Sequence, residues 1–235
     1  MVESIIDRSS LFTARVVERD SRVTVKATSK DGQFRAHLRN TGRLNDLIYP
    51  GAIVACERKE DGKTDARVLG ALDNGNYVLL DTWVQEKAFG RVLRNGELDW
   101  IPPDVEVEDQ VSFRGKRFDF GLKIGSVRGY LELKSAVTCK NGWASYPDAP
   151  SRRGLEHVKL LSKISTNGFP AYIVFIVTHP CCDRFRPNVE VHPEMANELR
   201  SADGAGVRIF GSKIVLTKKG EILLLDSNLP INLSY

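Results

Sequence analysis

Two carboxylates and a lysine in one short segment have the residue types and spacing of a metal-dependent phosphodiesterase site. Residues 117–135, RFDFGLKIGSVRGYLELKS, predict two β-strands joined by a turn at Gly125. Strand residues alternate between faces, so Glu132 and Lys134 point the same way, and Asp119 lies on the neighbouring strand. Carboxylates bind hard divalent cations, and a lysine can orient a water molecule or neutralise charge on a phosphate. The pattern predicts Asp119, Glu132 and Lys134 as catalytic residues with Mg²⁺ or Mn²⁺; the alternative is a same-face ion pair on a solvated strand.

Positive charge is concentrated around this segment. Residues 112–165 contain 11 Lys and Arg and four Asp and Glu, a local net charge of +7, whereas the whole chain carries +4. A basic surface around a few carboxylates suits a polyanion that must approach a metal, so nucleic acid is favoured over a small acidic metabolite. The candidate DNA-binding residues are Arg114, Lys116, Arg117, Lys140, Arg152, Arg153 and His157.

A helix is predicted from about residue 150 to Gly168, with an apolar stripe at helical spacing. Arg152 and Arg153 lie in its first turn, where cations are unfavourable unless a phosphate binds there. His157, on the same helix, is either a phosphate contact, an acid or base beside the metal, or a packed and hydrogen-bonded histidine. Asp148 is either a third metal carboxylate or, as slightly favoured, the cap of this helix.

The first third of the chain reads as short strands separated by turns. Alternating segments between about residues 11 and 81 are divided by Asp-Gly, Pro-Gly and Asn-Gly pairs. This spacing predicts a small barrel of the OB type, which either binds single strands or oligosaccharides or only packs on its neighbour. The following helices and strands form an α/β pattern. We therefore predict a mixed α/β protein with a barrel at 1–81 and an α/β domain at 82–235.

Composition and the N-terminal residues limit which classes of protein this chain can belong to. The chain has 235 residues, of which 42% are hydrophobic, and no apolar run reaches the ~18 residues of a membrane span. The first residues lack the basic start and apolar stretch of a signal peptide, so a cytoplasmic location is expected. A homodimer could form by pairing of strands at 77–80 or 221–226.

The four cysteines match no common zinc module. They are Cys56, Cys139, Cys181 and Cys182. In a reducing cytosol all four are expected to be thiols, and His179 with the adjacent cysteine pair is a weaker metal candidate.

Spaced motifs along the chain resemble those of the sugar fermentation stimulation protein A (SfsA) family. In the second half they are RFDF at 117–120, LELKS at 131–135, YPDA at 146–149, Arg153-Gly154 and His157; in the first half they are NTGRL at 40–44 and Pro50-Gly51. The resemblance implies an N-terminal OB-like domain and a C-terminal domain of the PD-(D/E)xK nuclease type. It also implies DNA binding with little sequence preference and a link to sugar (maltose) metabolism.

The resemblance also assigns residue roles. It implies that Asp119, Glu132 and Lys134 are the nuclease triad, and that the Leu133 carbonyl completes the metal shell. Gln110 stands where the family often has a Glu, so metal binding is expected to be weaker unless Glu108 substitutes.

Three functions follow. The first is a DNA-binding protein for double or single strands, and the second is an active Mg²⁺- or Mn²⁺-dependent nuclease. The third is a carbohydrate-responsive regulator whose barrel binds a sugar or a partner.

Overall fold

The structure, a computed structural model, describes residues 4, 6–7 and 10–234. The residues on which the signal-peptide prediction depends lie mostly outside this described part. In chain order the elements are β1 (Ile6–Asp7), β2 (Phe12–Ser21), β3 (Thr24–Ser29), β4 (Gly32–Leu38), β5 (Ile53–Arg58), β6 (Ala66–Asp73), β7 (Asn76–Leu79), α1 (Thr82–Arg94), β8 (Glu106–Phe113), β9 (Lys116–Ile124), β10 (Val127–Ala136), β11 (Thr138–Lys140), β12 (Trp143–Tyr146), α2 (Arg152–Thr166), β13 (Ala171–Val177), β14 (Arg184–Pro187), α3 (Pro193–Gly204), β15 (Arg208–Leu216) and β16 (Glu221–Asp226).

Strands β2 to β6 form the barrel that the turn spacing predicts. Their order is β4-β3-β2-β5-β6, and β4 pairs in parallel with β6 to close the circle, with Ala36 opposite Ala66 and Leu38 opposite Val68. Alternate residues of these strands, such as Val25 and Ala36, are fully buried and fill the interior. This five-stranded closure is the architecture of an OB barrel.

The second part of the chain builds a mixed sheet with helices on both faces. Its strand order is β7-β15-β13-β10-β9-β8, with β10 parallel to β13 and antiparallel to β9. One core cluster lies between this sheet and α1, and the other lies under α2 and α3. Strand β10 is therefore central, with both faces covered, which is why two charged residues on it require an explanation.

The proposed boundary between residues 81 and 82 falls at the start of α1. Asp81 caps this helix, and its Oδ1 accepts hydrogen bonds from the backbone nitrogens of Trp83 and Val84 at 3.0 and 3.1 Å. Hydrogen bonding of the sheet runs from the barrel through β7 to β15. The two domain ranges therefore stay a prediction.

The capping prediction for Asp148 is wrong. Ser151 is the N-cap of α2, and its Oγ accepts a hydrogen bond of 3.0 Å from the backbone nitrogen of Gly154. Asp148 Oδ2 instead accepts a bond of 3.2 Å from the nitrogen of Leu44 in the barrel part. A loop before a helix contains several residues that could cap it, and the turn geometry here selects the nearer one.

The prediction of four free thiols is also wrong. Cys139 on β11 and Cys182 after β13 form a disulfide, with a Cα–Cα distance of 5.9 Å. They meet because β11, β12 and β14 make a separate three-stranded sheet that the sequence analysis did not anticipate. Cys56 is a buried free thiol and Cys181 an exposed one.

One of the two strands proposed for a dimer is not available. Strand β7 lies inside the sheet, between β6 and β15. Strand β16 pairs with β15 on one side, and β1 covers its Glu221 and Ile222 on the other. Within the described residues, no helix is long and apolar enough to cross a membrane.

Candidate metal and phosphodiester site

The site begins where β9 and β10 separate. Their pairing ends at Phe120 opposite Leu131. Beyond this pair, the Oδ2 atom of half-buried Asp119 accepts a hydrogen bond of 2.7 Å from the backbone nitrogen of Leu133. Phe118 packs on the α2 side and Phe120 on the α1 side. Residues two apart share a face in a regular strand, so the different sides of Phe118 and Phe120 mean that β9 twists at Asp119. The Asp119 carboxylate takes the place of a β9 backbone carbonyl as the hydrogen-bond acceptor for β10.

Glu132 and Lys134 point together toward α2, as the strand alternation predicts. Glu132 is 6% exposed and Lys134 9% exposed, so they are not an ion pair on a solvated strand. Lys134 Nζ donates to Glu132 Oε1, and His157 Nδ1 lies 2.7 Å from the same oxygen. Two partners on one carboxylate oxygen hold the Glu132 side chain in a single orientation.

His157 is the packed, hydrogen-bonded histidine of the three alternatives. It is 2% exposed, and its ring meets the ring of Phe118 edge-on at a centroid distance of 5.6 Å. The assignment of His157 to the DNA-contacting set is therefore corrected. The helical stripe of α2 turns this residue inward, next to the buried Val158.

Burial gives Asp119 an unusual proton affinity. It raises the pKa of Asp119 to about 7, and the negative charge of Glu132 contributes in the same direction. The charge of Lys134 and the hydrogen bond from Leu133 oppose this rise only in part. Asp119 therefore keeps its proton to a higher pH than an exposed carboxyl group does.

Glu132 and Lys134 stabilise each other's charged forms. Burial alone would raise the pKa of Glu132, but Lys134 and His157 outweigh it and lower the pKa below its usual value. Burial likewise acts to lower the pKa of Lys134, but Glu132 reverses this and raises it. Lys134 is therefore a protonated hydrogen-bond donor at neutral pH and not a general base.

The residues present fit a divalent cation. The second carboxylate oxygen of Glu132, Oε2, is buried and has no hydrogen-bond partner within the described part of the chain. Buried polar atoms are rarely left without partners, and the charge of Glu132 already acts on neighbouring Asp119. Asp119, Glu132 and the Leu133 carbonyl are the groups that would hold the ion. Within residues 4, 6–7 and 10–234, no group of three or more His, Cys, Asp or Glu residues has metal-binding geometry, so the candidate site offers the two carboxylates Asp119 and Glu132.

A further acid beside the site was missed in the sequence. Glu86 of α1 adds to the rise in the pKa of Asp119. Its Oε1 accepts a bond of 2.5 Å from the Nε2 of Gln110, which has a φ of 56° where β8 bends. Only the packing of α1 against β8 brings Glu86 here, so no local sequence pattern could have found it. The expectation that Glu108 substitutes for the family Glu is wrong, because this side chain is 66% exposed and pairs with Arg128.

The other predicted DNA contacts are mainly at the surface. Arg114, with a φ of 48°, and Arg117 belong to the β8–β9 hairpin, Lys140 ends β11, and Arg152 and Arg153 begin α2. These five are exposed. Lys116 is half-buried and forms a 2.6 Å ion pair with Glu156. A role in DNA binding stays a prediction for these six residues.

A cleft of about 360 Å³ borders the site, between the barrel and the second part of the chain. Lys134 and Ser135 of β10 line it, as do barrel residues 39–42 and the segment 146–151 before α2. Gly42 allows a close approach here, because a Cβ atom on it would lie 2.2 Å from Asp148 Oδ2. The contact of Asp148 with the barrel therefore closes one side of the cleft.

Comparison with known proteins agrees with this architecture. A family model described as SfsA N-terminal OB domain matches residues 12–80, and one described as sugar fermentation stimulation protein RE domain matches residues 84–220. The chain belongs to the sugar fermentation stimulation protein family. The resemblance drawn from the spaced motifs is thus confirmed, as is the mixed α/β class with an N-terminal OB barrel.

SfsA relatives are similar along nearly the whole chain. The homolog from Pyrococcus furiosus is 33% identical over 219 residues, 93% of this chain and 95% of its own length. The homolog from Chloroflexus aurantiacus is 33% identical over 227 residues, 96% of this chain and 87% of its own. The solved structure of Pyrococcus furiosus SfsA in complex with Ca²⁺ superposes with a TM-score of 0.93 at 31% identity, covering 98% of this chain and 99% of that one.

Proposed function

We propose that this protein binds DNA with little sequence preference and cleaves phosphodiester bonds in a reaction that depends on Mg²⁺ or Mn²⁺. One observation carries the proposal. Glu132 is held by Lys134 and His157 through one oxygen, while its other oxygen is buried without a partner. A buried anionic oxygen fixed in this way, with a second carboxylate beside it, fits the requirement of a hard cation.

Each residue has a role set by its contacts. Asp119 and Glu132 supply the anionic oxygens, and the hydrogen bond from Leu133 orients Asp119. Protonated Lys134, which lines the cleft, can stabilise negative charge that develops on a phosphate. His157 positions Glu132 from behind. When bound, the cation would polarise the phosphate and lower the pKa of a water molecule.

Exposed basic residues support binding to the phosphate backbone rather than to bases. The side chain of Arg152 is 95% exposed, and Arg153 follows it at the start of α2. Contacts between such residues and phosphates give affinity without sequence information. They also release counterions, so binding should weaken steeply with salt.

The Ca²⁺ in the Pyrococcus furiosus SfsA complex supports a cation in this protein as well. Ca²⁺ and Mg²⁺ are both hard ions that take oxygen ligands. The two chains share their fold over nearly their full length. The proposed site uses two carboxylates and one backbone carbonyl, which are oxygen donors only.

A second candidate is DNA binding without cleavage, in a regulatory role linked to sugar metabolism. Gln110 favours it, since the family resemblance places a Glu there and the amide of Gln110 instead binds an oxygen of Glu86. One acid fewer would weaken the cation site. The fold would then serve as a DNA-binding surface.

Binding can be tested by fluorescence anisotropy with labelled DNA of unrelated sequences at increasing salt. Similar affinities that fall together with salt support the proposal. The double change Arg152→Ala and Arg153→Ala should weaken all sequences alike, whereas the control Lys218→Ala and Lys219→Ala, in the β15–β16 turn, should not. An affinity that does not change with salt, or that depends strongly on sequence, would overturn the proposal that the protein binds DNA through phosphate contacts.

Calorimetry with maltodextrins tests the third function, a carbohydrate-responsive regulator. That function requires a measurable heat of binding.

A further inference from the structure

The cleft beside Lys134 has walls from both parts of the chain. Residues 39–42 of the barrel form one wall, and Tyr146 to Ser151 form the other. Asp148 bonds to Leu44 and lies against Gly42, so these walls meet on one side. The cleft between these walls reaches Lys134 of β10.

The barrel wall of the cleft is positively charged. Arg22 and Arg39 line it, and both are exposed. The guanidinium of Arg39 lies 5.5 Å from the ring centroid of Trp83. Arg39 has no ion pair within 4 Å in the described part of the chain, although buried Asp81 lies close enough to interact with its charge. Among the described residues, Arg22 donates to the carbonyl of Thr41, at 3.3 Å. The acid that lines the cleft, Asp148, is already bonded to Leu44.

The floor also presents polar atoms that lack partners or can donate. Ser135 Oγ is buried and has no hydrogen-bond partner among the described atoms. Lys134 lines the same cleft, one residue away. Thr82 and Ser151, at the N-termini of α1 and α2, border it too. Helix N-termini favour anions, and here they add to two exposed arginines without an ion pair among the described residues and to an unpartnered hydroxyl.

The volume of the cleft suits one strand better than a duplex. At about 360 Å³ it is near the lower end of the ~300–1,000 Å³ of small-molecule pockets, the size class of a single nucleotide. A phosphate in the cleft would face Arg22 and Arg39 from the barrel and Lys134 from β10.

We infer that this cleft binds one strand of single-stranded DNA. Arg22 and Arg39 bind its phosphates, and the strand extends from the cleft to the site at Asp119 and Glu132. The inference rests on the proposed function and specifies its substrate as a single strand or an unpaired end. The OB barrel is then part of the substrate site and not a domain that only packs on its neighbour.

The test compares two DNA forms with variants of the cleft. Affinities for labelled oligo-dT of 15 nucleotides and for a 15-bp duplex are measured in EDTA, which prevents metal-dependent cutting. The double change Arg22→Ala and Arg39→Ala should weaken oligo-dT binding about tenfold and duplex binding less than twofold. Arg22→Lys with Arg39→Lys keeps the charges and should retain most of the affinity. Arg58→Ala, an exposed barrel arginine outside the cleft and paired with Asp31, is the matched control and should change neither.

The outcomes separate the two claims. Unchanged oligo-dT binding in the Ala variant, or equal losses for both DNA forms, overturns the single-strand inference. If the Ala variant also cuts oligo-dT with Mn²⁺ as the parent does, the proposed function stands without the single-strand inference. If the wild-type protein binds neither DNA form, the proposed function fails first. Melting temperatures within 2 °C of the parent would show that the variants are folded.

Discussion

Asp119 Oδ2 accepts a hydrogen bond of 2.7 Å from the backbone nitrogen of Leu133, in the place where a backbone carbonyl of β9 would otherwise pair with β10. One carboxylate oxygen thus maintains the sheet while the strands part. The parting places the carboxylate of Asp119 against β10, where the negative charge of Glu132 acts on it. The local irregularity of the fold and the pair of candidate metal carboxylates are therefore the same feature.

The raised pKa of Asp119 has a consequence for stability. Its folded pKa is about 7, against an ordinary value of 3.8. The stability contribution of Asp119 is fully present below pH ~4 and is lost as the pH rises through about 7, because the folded state resists ionisation. We expect Asp119→Asn to raise the free energy of unfolding at pH 8, by up to about 4 kcal/mol, and to leave it almost unchanged at pH 4. Urea unfolding at both pH values measures this.

The exposed Asp183 provides the control for this measurement. Asp183→Asn should shift stability by a similar small amount at both pH values. A pH-independent effect of Asp119→Asn would contradict the assigned burial of this charge.

Metal affinity should depend on pH through the same group. A cation competes with the proton on Asp119, so Mn²⁺ should bind about tenfold more weakly at pH 6 than at pH 8. Saturating Mn²⁺ should raise the melting temperature at pH 8, since a ligand of the folded state stabilises it. Calorimetry and thermal shift check both effects. Asp119→Asn should abolish them, and the exposed control Glu108→Gln should preserve them; equal affinity at the two pH values would argue against Asp119 as a ligand.

His157 should act as a positioning residue. His157→Ala removes one of the two partners of Glu132 Oε1, which should raise the pKa of Glu132 and destabilise the protein by about 1–3 kcal/mol. Mn²⁺ binding should weaken, because the carboxylate is less firmly oriented. His157→Gln, which retains a donor, should recover part of both losses, and His192→Ala, which removes no capping bond, should cause neither. A His157→Ala protein with unaltered Mn²⁺ affinity would exclude the positioning role.

The disulfide should be measurable by thiol counting. Ellman's reagent should find one reactive thiol in the native protein, Cys181, and two after denaturation without reductant. Reduction should expose four thiols and lower the free energy of unfolding by about 4 kcal/mol, as expected for a bridge across 43 residues. Four thiols before reduction would show that the bridge does not form.

Local sequence patterns predicted much of the secondary structure and the position of the candidate site. The hairpin around Gly125 and the shared face of Glu132 and Lys134 follow from strand alternation, which depends on neighbours in sequence. The helix at 152–166 follows from its apolar stripe, although its cap does not. The candidate site could therefore be placed on the correct two strands.

Contacts between distant segments account for what was missed. Glu86 reaches the site only when α1 packs against β8, and Asp148 meets Leu44 across 104 residues. Cys139 and Cys182 are joined by a small sheet whose β14 strand, Arg184–Pro187, has only four residues. The contact of His157 with Glu132 depends on how α2 packs over β10, which no local pattern gives.

The most direct test is incubation of the pure protein with plasmid and single-stranded DNA in Mn²⁺, Mg²⁺ or EDTA, in parallel with Glu132→Ala. The proposed function predicts cutting that requires the metal and disappears in Glu132→Ala, while DNA binding persists or strengthens because a negative charge is removed. Cutting by Glu132→Ala at the parental rate would contradict the assignment of the site. Binding without cutting in every metal would contradict the nuclease activity and leave a DNA-binding surface on a nuclease-like fold.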